Sequence, residues 1–495
     1  MKNSPFDEPV WLGIDLGTQS VRVVAISVTG KVAGTGSAKL TSRRDGARHE
    51  QDPDEWWSAV ATAARAAVAN IAPAAIRGLA VDGTSGTILL TNRDGNALTP
   101  GLMYDDTRAV GEVEMVNRAG ADVWAALGYN RMQAAWGLPK LLWLLRAQPE
   151  LISPQTRLAH QTDFINQRLV GLPAVTDTST ALKTGCNLLD ESWPHDVFET
   201  LGIPPSLLPP IARSGAPIGT VCTAAAELTG IPENTPVFAG MTDGCASQIG
   251  AGALSSGSWN SVLGTTLVLK GVTPLLIKDP LGVVYSHRSP DGHWLPGGAS
   301  STGAGALTKH FPDRDLDSLN AQAATREPAS VIAYPLAARG ERFPFNAPDA
   351  EGFLLGEPID EVDHYAALLQ GIAFVERLCF DYLDLLGAPV DGELRLTGGG
   401  AKSRYWCQLR ADILGRPVSL PENAEAAVGM AVLAASAGRP LADAAHEMVR
   451  IREVIDPRPE GIARFHEPYL RLVDELARRG WVSAAVADHA RQRAG

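Results

Sequence analysis

Apolar and polar positions over the first hundred residues switch between two periods. Val10 to Ile14 is an apolar run ending in Asp15-Leu16-Gly17-Thr18. Val21 to Val28 resumes with β-branched residues, and Thr29-Gly30 turns the chain into a further strand-like stretch. Short polar breaks between β-branched runs read as strand, tight loop, strand, turn, strand. Asp52-Pro53-Asp54 then supplies a helix start, and Trp56, Val60, Ala63, Ala64 and Ala67 recur at helical spacing until Ala72-Pro73. Arg77 to Val81 predicts a buried strand closed by Asp82-Gly83-Thr84-Ser85-Gly86. Strands and helices in alternation set an α/β class.

Farther along, Leu138 to Gly171 reads as helical, with Lys140 to Leu145 as its apolar stretch and Thr162-Asp163 as a cap. After a proline-rich stretch from Ile203 to Pro217, a strand at Pro236 to Gly240 leads into Met241-Thr242-Asp243-Gly244. Ser261-Val262-Leu263-Gly264-Thr265-Thr266 followed by Leu267 to Gly271 repeats the opening order of apolar strand, Leu-Gly-Thr, apolar strand. The repetition predicts two related α/β halves with a boundary near Gly250. Glu393 to Leu396 is a last strand-like run, closed by Thr397-Gly398-Gly399-Gly400 and followed by a helix through Trp406, Leu409 and Ile413.

The chain has 495 residues, room for two to four domains at roughly 100–200 residues each. An apolar share of 45%, a charged share of 20% and a mean hydropathy of −0.01 exclude simple disorder. Lys and Arg total 43 against 55 Asp and Glu, a formal charge of −12, which repels phosphate backbones. No basic patch offsets it, so no nucleic-acid partner is expected. Met1 to Pro9 carries no apolar leader core, and no run reaches the roughly 18 apolar residues of a membrane span. A cytoplasmic protein without a membrane partner is the expectation, as a monomer or homodimer. Five scattered cysteines with no CxxC spacing read as reduced packing thiols.

Chemistry concentrates at the strand ends. Small and hydroxyl residues in Asp15-Leu16-Gly17-Thr18-Gln19-Ser20 let backbone N–H groups approach a phosphate, and the carboxylate at the strand end can hold Mg²⁺ through water. An ordinary hairpin capped by Asp15 is the alternative. Leu263-Gly264-Thr265-Thr266 pairs with it, because two such loops can grip one polyphosphate. Gly297 to Gly305 is a small-residue stretch before a helix at Ala306, suited either to nucleotide contact or to close helix packing. Gly398-Gly399-Gly400-Ala401-Lys402-Ser403 lies between a strand and a helix, a usual phosphate approach, although GxxxxGK[ST] does not occur. Asp243 and Asp82 each follow a buried strand, where α/β proteins place ligands. Tyr104-Asp105-Asp106-Thr107-Arg108 follows soon after, and together these residues suggest a polar pocket for a hydroxylated ligand.

These residues resemble the FGGY carbohydrate kinases, a family in the actin and Hsp70 superfamily. The likeness runs nearly end to end, through GIDLGTQSVRVVAI (13–26), MYDDTR (103–108), TDTST (176–180), GMTDGCASQIGAGA (240–253), SVLGTT (261–266), GGASSTGAGAL (297–307) and LTGGGAKSRYWCQLRADILGRPV (396–418). The resemblance implies two ribonuclease H-like α/β domains flanking a deep cleft. A sugar-binding domain with the catalytic base would span 10–250. An ATP-binding domain would span 251–495, its helix near 465–479 returning to the first. Asp243 would be the general base and Asp15 would position Mg²⁺ through water. Thr18, Gln19, Ser20, Gly264, Thr265, Thr266, Gly303, Gly399, Gly400 and Ser403 would contact ATP. Asp82, Gly83, Thr84, Ser85 and Asp106, with Asp243, would contact sugar. Xylulokinases carry Gly-Gln-Met-His-Gly where this chain has Asp82-Gly83-Thr84-Ser85-Gly86. That loop is similar to the plastid and cyanobacterial branch acting on D-ribulose, so the expected reaction makes D-ribulose 5-phosphate from D-ribulose and Mg-ATP. D-xylulose is the alternative substrate, and a non-catalytic sugar or nucleotide sensor is the rival of another class.

Overall fold

A computed structural model describes residues 5–494. The chain divides into two compact units. Unit 1 comprises Met1–Gly252, His287–Trp294 and Asn423–Arg450, and unit 2 comprises Ala253–Ser286, Leu295–Glu422 and Ile451–Gly495.

Unit 1 is built on a six-stranded sheet in the order Pro217–Thr220, Pro236–Phe238, Ile76–Gly83, Val10–Leu16, Ser20–Ser27, Val32–Lys39. Val10–Leu16 pairs antiparallel with Ser20–Ser27 and parallel with Ile76–Gly83, which in turn pairs parallel with Pro236–Phe238. The helix Pro53–Val68 begins where the sequence places it, capped by the Asp52 carboxylate on the Asp54 N–H. It buries Trp56, Val60, Ala63, Ala64 and Ala67 on the sheet. Gly34 and Gly36 permit that packing: a Cβ at either would lie 2.0 Å from the carbonyl of Ala67 or Ala63. On the sheet's other face, Gly13 lets the wholly buried helix Ala426–Ala435 approach until a Cβ would sit 1.6 Å from the Ala427 carbonyl. A second, antiparallel sheet runs Arg43–Asp45, Arg48–Gln51, Gly101–Leu102, Ile88–Thr91, Arg157–His160. The expected helical stretch from 138 to 171 divides into helix Gly137–Ala147, strand Arg157–His160 and helix Gln161–Val170. Pro149 and Pro154 stop the first helix, since proline cannot continue one.

Unit 2 repeats the arrangement. Trp259–Leu263 pairs antiparallel with Leu267–Gly271 and parallel with Leu394–Thr397, the same relation that Val10–Leu16 has to its neighbours. Its core gathers around helix Glu361–Leu385. Helix Pro459–Arg478 packs in unit 2 and not, as the sequence reading had it, on the first domain. Phe465 and Tyr469 meet Phe374, and the Tyr469 hydroxyl donates to the buried Asp381 carboxylate. The late segment that joins unit 1 is 423–450. Among the described residues, no helix is long and apolar enough to cross a membrane.

Candidate active site

Strand register gathers the carboxylates. Asp15 and Asp82 face each other across the parallel pair Val10–Leu16 and Ile76–Gly83. One residue on, Gly83 bridges Thr242 in parallel, so Asp243 leaves the next strand position at the same edge. Two strands thus carry acids at their ends, beside the bridge residue that precedes Asp243. Gly240 permits this closeness, since a Cβ there would lie 1.8 Å from the Val81 carbonyl. Asp243 opens helix Asp243–Ala251 and accepts the Gly244 N–H at 2.7 Å.

The electrostatics of this edge are costly. Burial, then repulsion from Asp243, pushes the Asp15 carboxyl up to about 6. Asp82 is fully buried, and burial followed by the charges of Asp15 and Asp243 holds it well above the usual carboxylate range. Its hydrogen-bonding neighbour is the Asp15 side chain, and the charge of Asp243 bears on both. Two acids in contact and repelled by a third are a costly arrangement that a bound cation would relieve. Among the described residues, no three His, Cys, Asp or Glu side chains are arranged to hold a metal by themselves. Two adjacent carboxylates suit instead a Mg²⁺ ion that keeps much of its water and takes further ligands from phosphates.

The loop after Asp15 is held from behind. Gly17 N–H donates to the Ser20 carbonyl at 3.2 Å, and the Gln51 amide donates to the Thr18 carbonyl at 2.6 Å. These bonds fix the backbone and leave the side chains of Thr18, Gln19 and Ser20 partly or fully exposed. The loop Asp82–Gly86 runs straight into the second sheet. Thr84 donates both its N–H and its hydroxyl to Gln161 Oε1, at 2.9 and 2.8 Å. Ser85 Oγ and Gln161 Nε2 are buried without partners. Asp106, expected among the sugar contacts, is held by protein partners. Its buried carboxylate takes the Arg108 guanidinium and the His49 N–H, so it braces the MYDDTR turn.

Unit 2 assembles the other predicted residues around Leu263. Gly264 N–H donates to the Thr266 carbonyl, and the N–H groups of Ala304 and Gly305 donate to the carbonyls of Gly264 and Thr265. A Cβ on Gly303 would lie 2.5 Å from the Thr265 carbonyl, so the two small-residue loops lie flush. Gly398, at φ +80°, and Gly400 pack on Leu263, whereas Gly399 faces open space. Ser403 Oγ caps helix Arg404–Leu414 by accepting the Trp406 N–H at 3.2 Å. This loop-and-helix start offers backbone N–H groups to phosphate.

Sequence reasoning missed several supporting residues. Ser179 Oγ accepts the Thr242 N–H at 3.2 Å and lies 3.0 Å from His287 Nδ1, fixing the strand end that carries Asp243. In unit 2 the buried Glu341 carboxylate accepts from Ser300, the Ser301 N–H, Thr302 and Tyr334, tying down the 297–305 loop. The TDTST run carried the only sequence signal for any of these.

Known proteins share this chain's sequence pattern and fold. The N-terminal domain model of the FGGY family of carbohydrate kinases matches residues 10–250, and the C-terminal domain model matches 259–438. Xylulose kinase of Bacillus subtilis is 26% identical over 470 residues, covering 92% of this chain and 94% of that protein. The crystal structure of xylulose kinase from Rhodospirillum rubrum superposes with a TM-score of 0.84 at 25% identity, covering 94% of this chain and 98% of that one. Gluconate kinase from Lactobacillus acidophilus has the same fold, at a TM-score of 0.84 and 23% identity, with 96% and 99% covered. With both domain models matched in order over most of its length, the chain belongs to the FGGY family of carbohydrate kinases and is a sugar phosphotransferase.

Proposed function

We propose that this kinase transfers the γ-phosphoryl group of ATP to the terminal hydroxyl of a ketopentose, with Asp243 as general base. The observation that carries this reading is the edge of unit 1 where Asp15 and Asp82 pair at the ends of adjacent strands and Asp243 follows the residue bridged to Gly83. Asp243 takes the hydroxyl proton as that oxygen bonds to the γ-phosphorus and the bond to the ADP oxygen breaks. Phosphoryl transfer has a loose transition state, so positioning and charge neutralisation supply most of the acceleration and the base about 10²–10⁴-fold. Thr18, Gln19 and Ser20 in unit 1, with Gly264, Thr265, Thr266, Gly303, Gly399, Gly400 and Ser403 in unit 2, are the residues assigned to ATP. Asp15 is assigned to the nucleotide's Mg²⁺, which when bound neutralises phosphate charge. Asp82, Gly83, Thr84 and Ser85 are assigned to the sugar.

D-xylulose is the acceptor supported by the names of the relatives from B. subtilis and R. rubrum. D-ribulose is a second reading, favoured by the loop Asp82-Gly83-Thr84-Ser85-Gly86 with its buried carboxyl. A gluconate kinase of the same fold argues that architecture alone does not choose between them. ADP release from Mg-ATP across D-xylulose, D-ribulose, L-ribulose, glycerol and gluconate, against a no-sugar control, tests the proposal. Stimulation by one ketopentose supports it, and a flat panel refutes it. Asp243→Asn should lower kcat by about 10²–10⁴-fold while sugar KM stays within a few-fold; turnover near wild type would remove Asp243 from this role.

A further inference from the structure

We propose that His49, aimed by Asp105, is a sugar-specificity residue whose Nε2 accepts a hydrogen bond from a non-reacting hydroxyl of the ketopentose. The inference rests on the kinase reading above and adds to it a residue that none of the sequence motifs contains. His49 lies on strand Arg48–Gln51 and is 1% exposed. Its Nδ1 lies 2.5 Å from Asp105 Oδ1, and the other Asp105 oxygen takes the Arg44 guanidinium at 2.9 Å. Burial tends to raise the Asp105 carboxyl, but the hydrogen bonds from His49 and Arg44 prevail and hold it below its ordinary value. An ionised carboxylate only accepts, so Nδ1 carries the proton. In the neutral ring, Nε2 is then a lone-pair acceptor with its direction fixed, and that atom is buried without a partner.

Strand alternation gives the direction. His49 and Gln51 are the buried residues of a strand with pattern exposed, buried, intermediate, buried, so they share one face. Gln51 reaches from that face to the Thr18 carbonyl. Tyr104, the neighbour of Asp105, hydrogen-bonds Thr18 and feels the charges of both Asp105 and Asp243. The imidazole therefore belongs to the surroundings of the Asp15 loop. Ser85 Oγ, Gln161 Nε2 and His49 Nε2 are among the buried, unpartnered polar atoms of unit 1. A hydroxyl, an amide donor and a ring acceptor are the kinds of group a polyhydroxylated ligand satisfies. Sites built to hydrogen-bond a hydroxyl reject analogues lacking it.

The test compares wild type, His49→Ala and His49→Gln with whichever ketopentose turns over, and with its 1-deoxy, 3-deoxy and 4-deoxy analogues. His49→Ala should raise sugar KM about tenfold or more while ATP KM moves less than about twofold, and His49→Gln, which keeps an acceptor, should recover part of the loss. Removing one particular hydroxyl should cost wild type about tenfold in kcat/KM and cost His49→Ala nothing further, the signature of a direct pair. Unchanged sugar KM in His49→Ala, or equal penalties for every deoxy analogue in both proteins, would overturn the assignment. A misfolded variant would instead lose ATP affinity and its thermal transition. Absence of sugar-stimulated turnover in wild type would overturn the kinase reading itself, and this inference with it.

Discussion

Asp15→Asn should make the protein more stable and inactive, and the stability gain should grow with pH. The unfolded carboxyl has a value of 3.8 and the folded one about 6, so on raising pH the unfolded chain ionises first and wild-type stability falls between about 4 and 6. A shift of roughly two units corresponds to about 3 kcal/mol once both states are ionised, near pH 8. At pH 5 the folded group is still largely protonated, and the same linkage gives about half that deficit. Asparagine has nearly the same shape and never ionises, so it escapes this loss. The gap between variant and wild type should therefore widen by on the order of 1 kcal/mol from pH 5 to pH 8, or roughly 2–4 °C in transition temperature for a unit of this size. Thermal denaturation at the two pH values reads it directly. Mg²⁺ with ADP should recover part of the wild-type deficit and leave the variant unmoved, if Asp15 holds the ion. An equal gap at both pH values, or a wild type more stable than the variant at pH 8, would refute the account of crowded carboxylates.

Other perturbations probe the scaffold. Gly13→Ala would drive a Cβ to 1.6 Å from the Ala427 carbonyl; a loss on the order of 4 kcal/mol or failure to fold is expected by chemical denaturation. Glu376→Ala leaves Arg410, which is wholly buried and bonded to Glu376 at 2.7 Å, without its counter-charge and should destabilise unit 2 by about 3–5 kcal/mol in the same assay. Burial lowers the Lys140 ammonium to about 7, although it donates to the Leu102 and Met103 carbonyls. The unfolded lysine takes up its proton near 10.5 and the folded one only near 7, so wild-type stability declines as pH falls across that window. The stability of Lys140→Met relative to wild type should accordingly improve from pH 10 to pH 7, as urea midpoints would show.

What was legible from the sequence was local. An apolar run that stops at an aspartate predicts both a strand and a carboxylate at its end, and Asp15, Asp82 and Asp243 were found that way. Their meeting at one edge depends on register between strands some seventy and two hundred residues apart, which periodicity does not encode. The same limit explains the helix Pro459–Arg478. Phe465, Tyr469 and Leu472 mark an apolar stripe, but a stripe does not name the surface that covers it, and Phe374 in unit 2 is that surface. Gln161 and His287 were invisible for a related reason. Each works through a partner far along the chain, Thr84 at a separation of 77 and Ser179 at 108, and neither sits in a turn or glycine pattern.

Asp106 shows what a motif leaves open. Sequence assigns Asp106 of Tyr104-Asp105-Asp106-Thr107-Arg108 to the sugar by resemblance but does not reveal that Arg108 bonds it and that His49 bonds Asp105. Pairing separates scaffold from site across the whole molecule. Glu376 with Arg410, Asp412 with Arg458, Asp163 with His160 and Asp106 with Arg108 are buried carboxylates matched to a cation or a ring N–H. Such pairs hold a fold in one geometry. Asp82 meets another acid, Asp15, in place of a cation, and Asp15 is displaced to about 6. Other buried acids are met by cations or, as at Glu341, by several hydrogen-bond donors, whereas at this edge acid faces acid, at a cost in stability. That cost is offset when a cation and a hydroxylated ligand arrive, and it is the physical reason to look for the chemistry there.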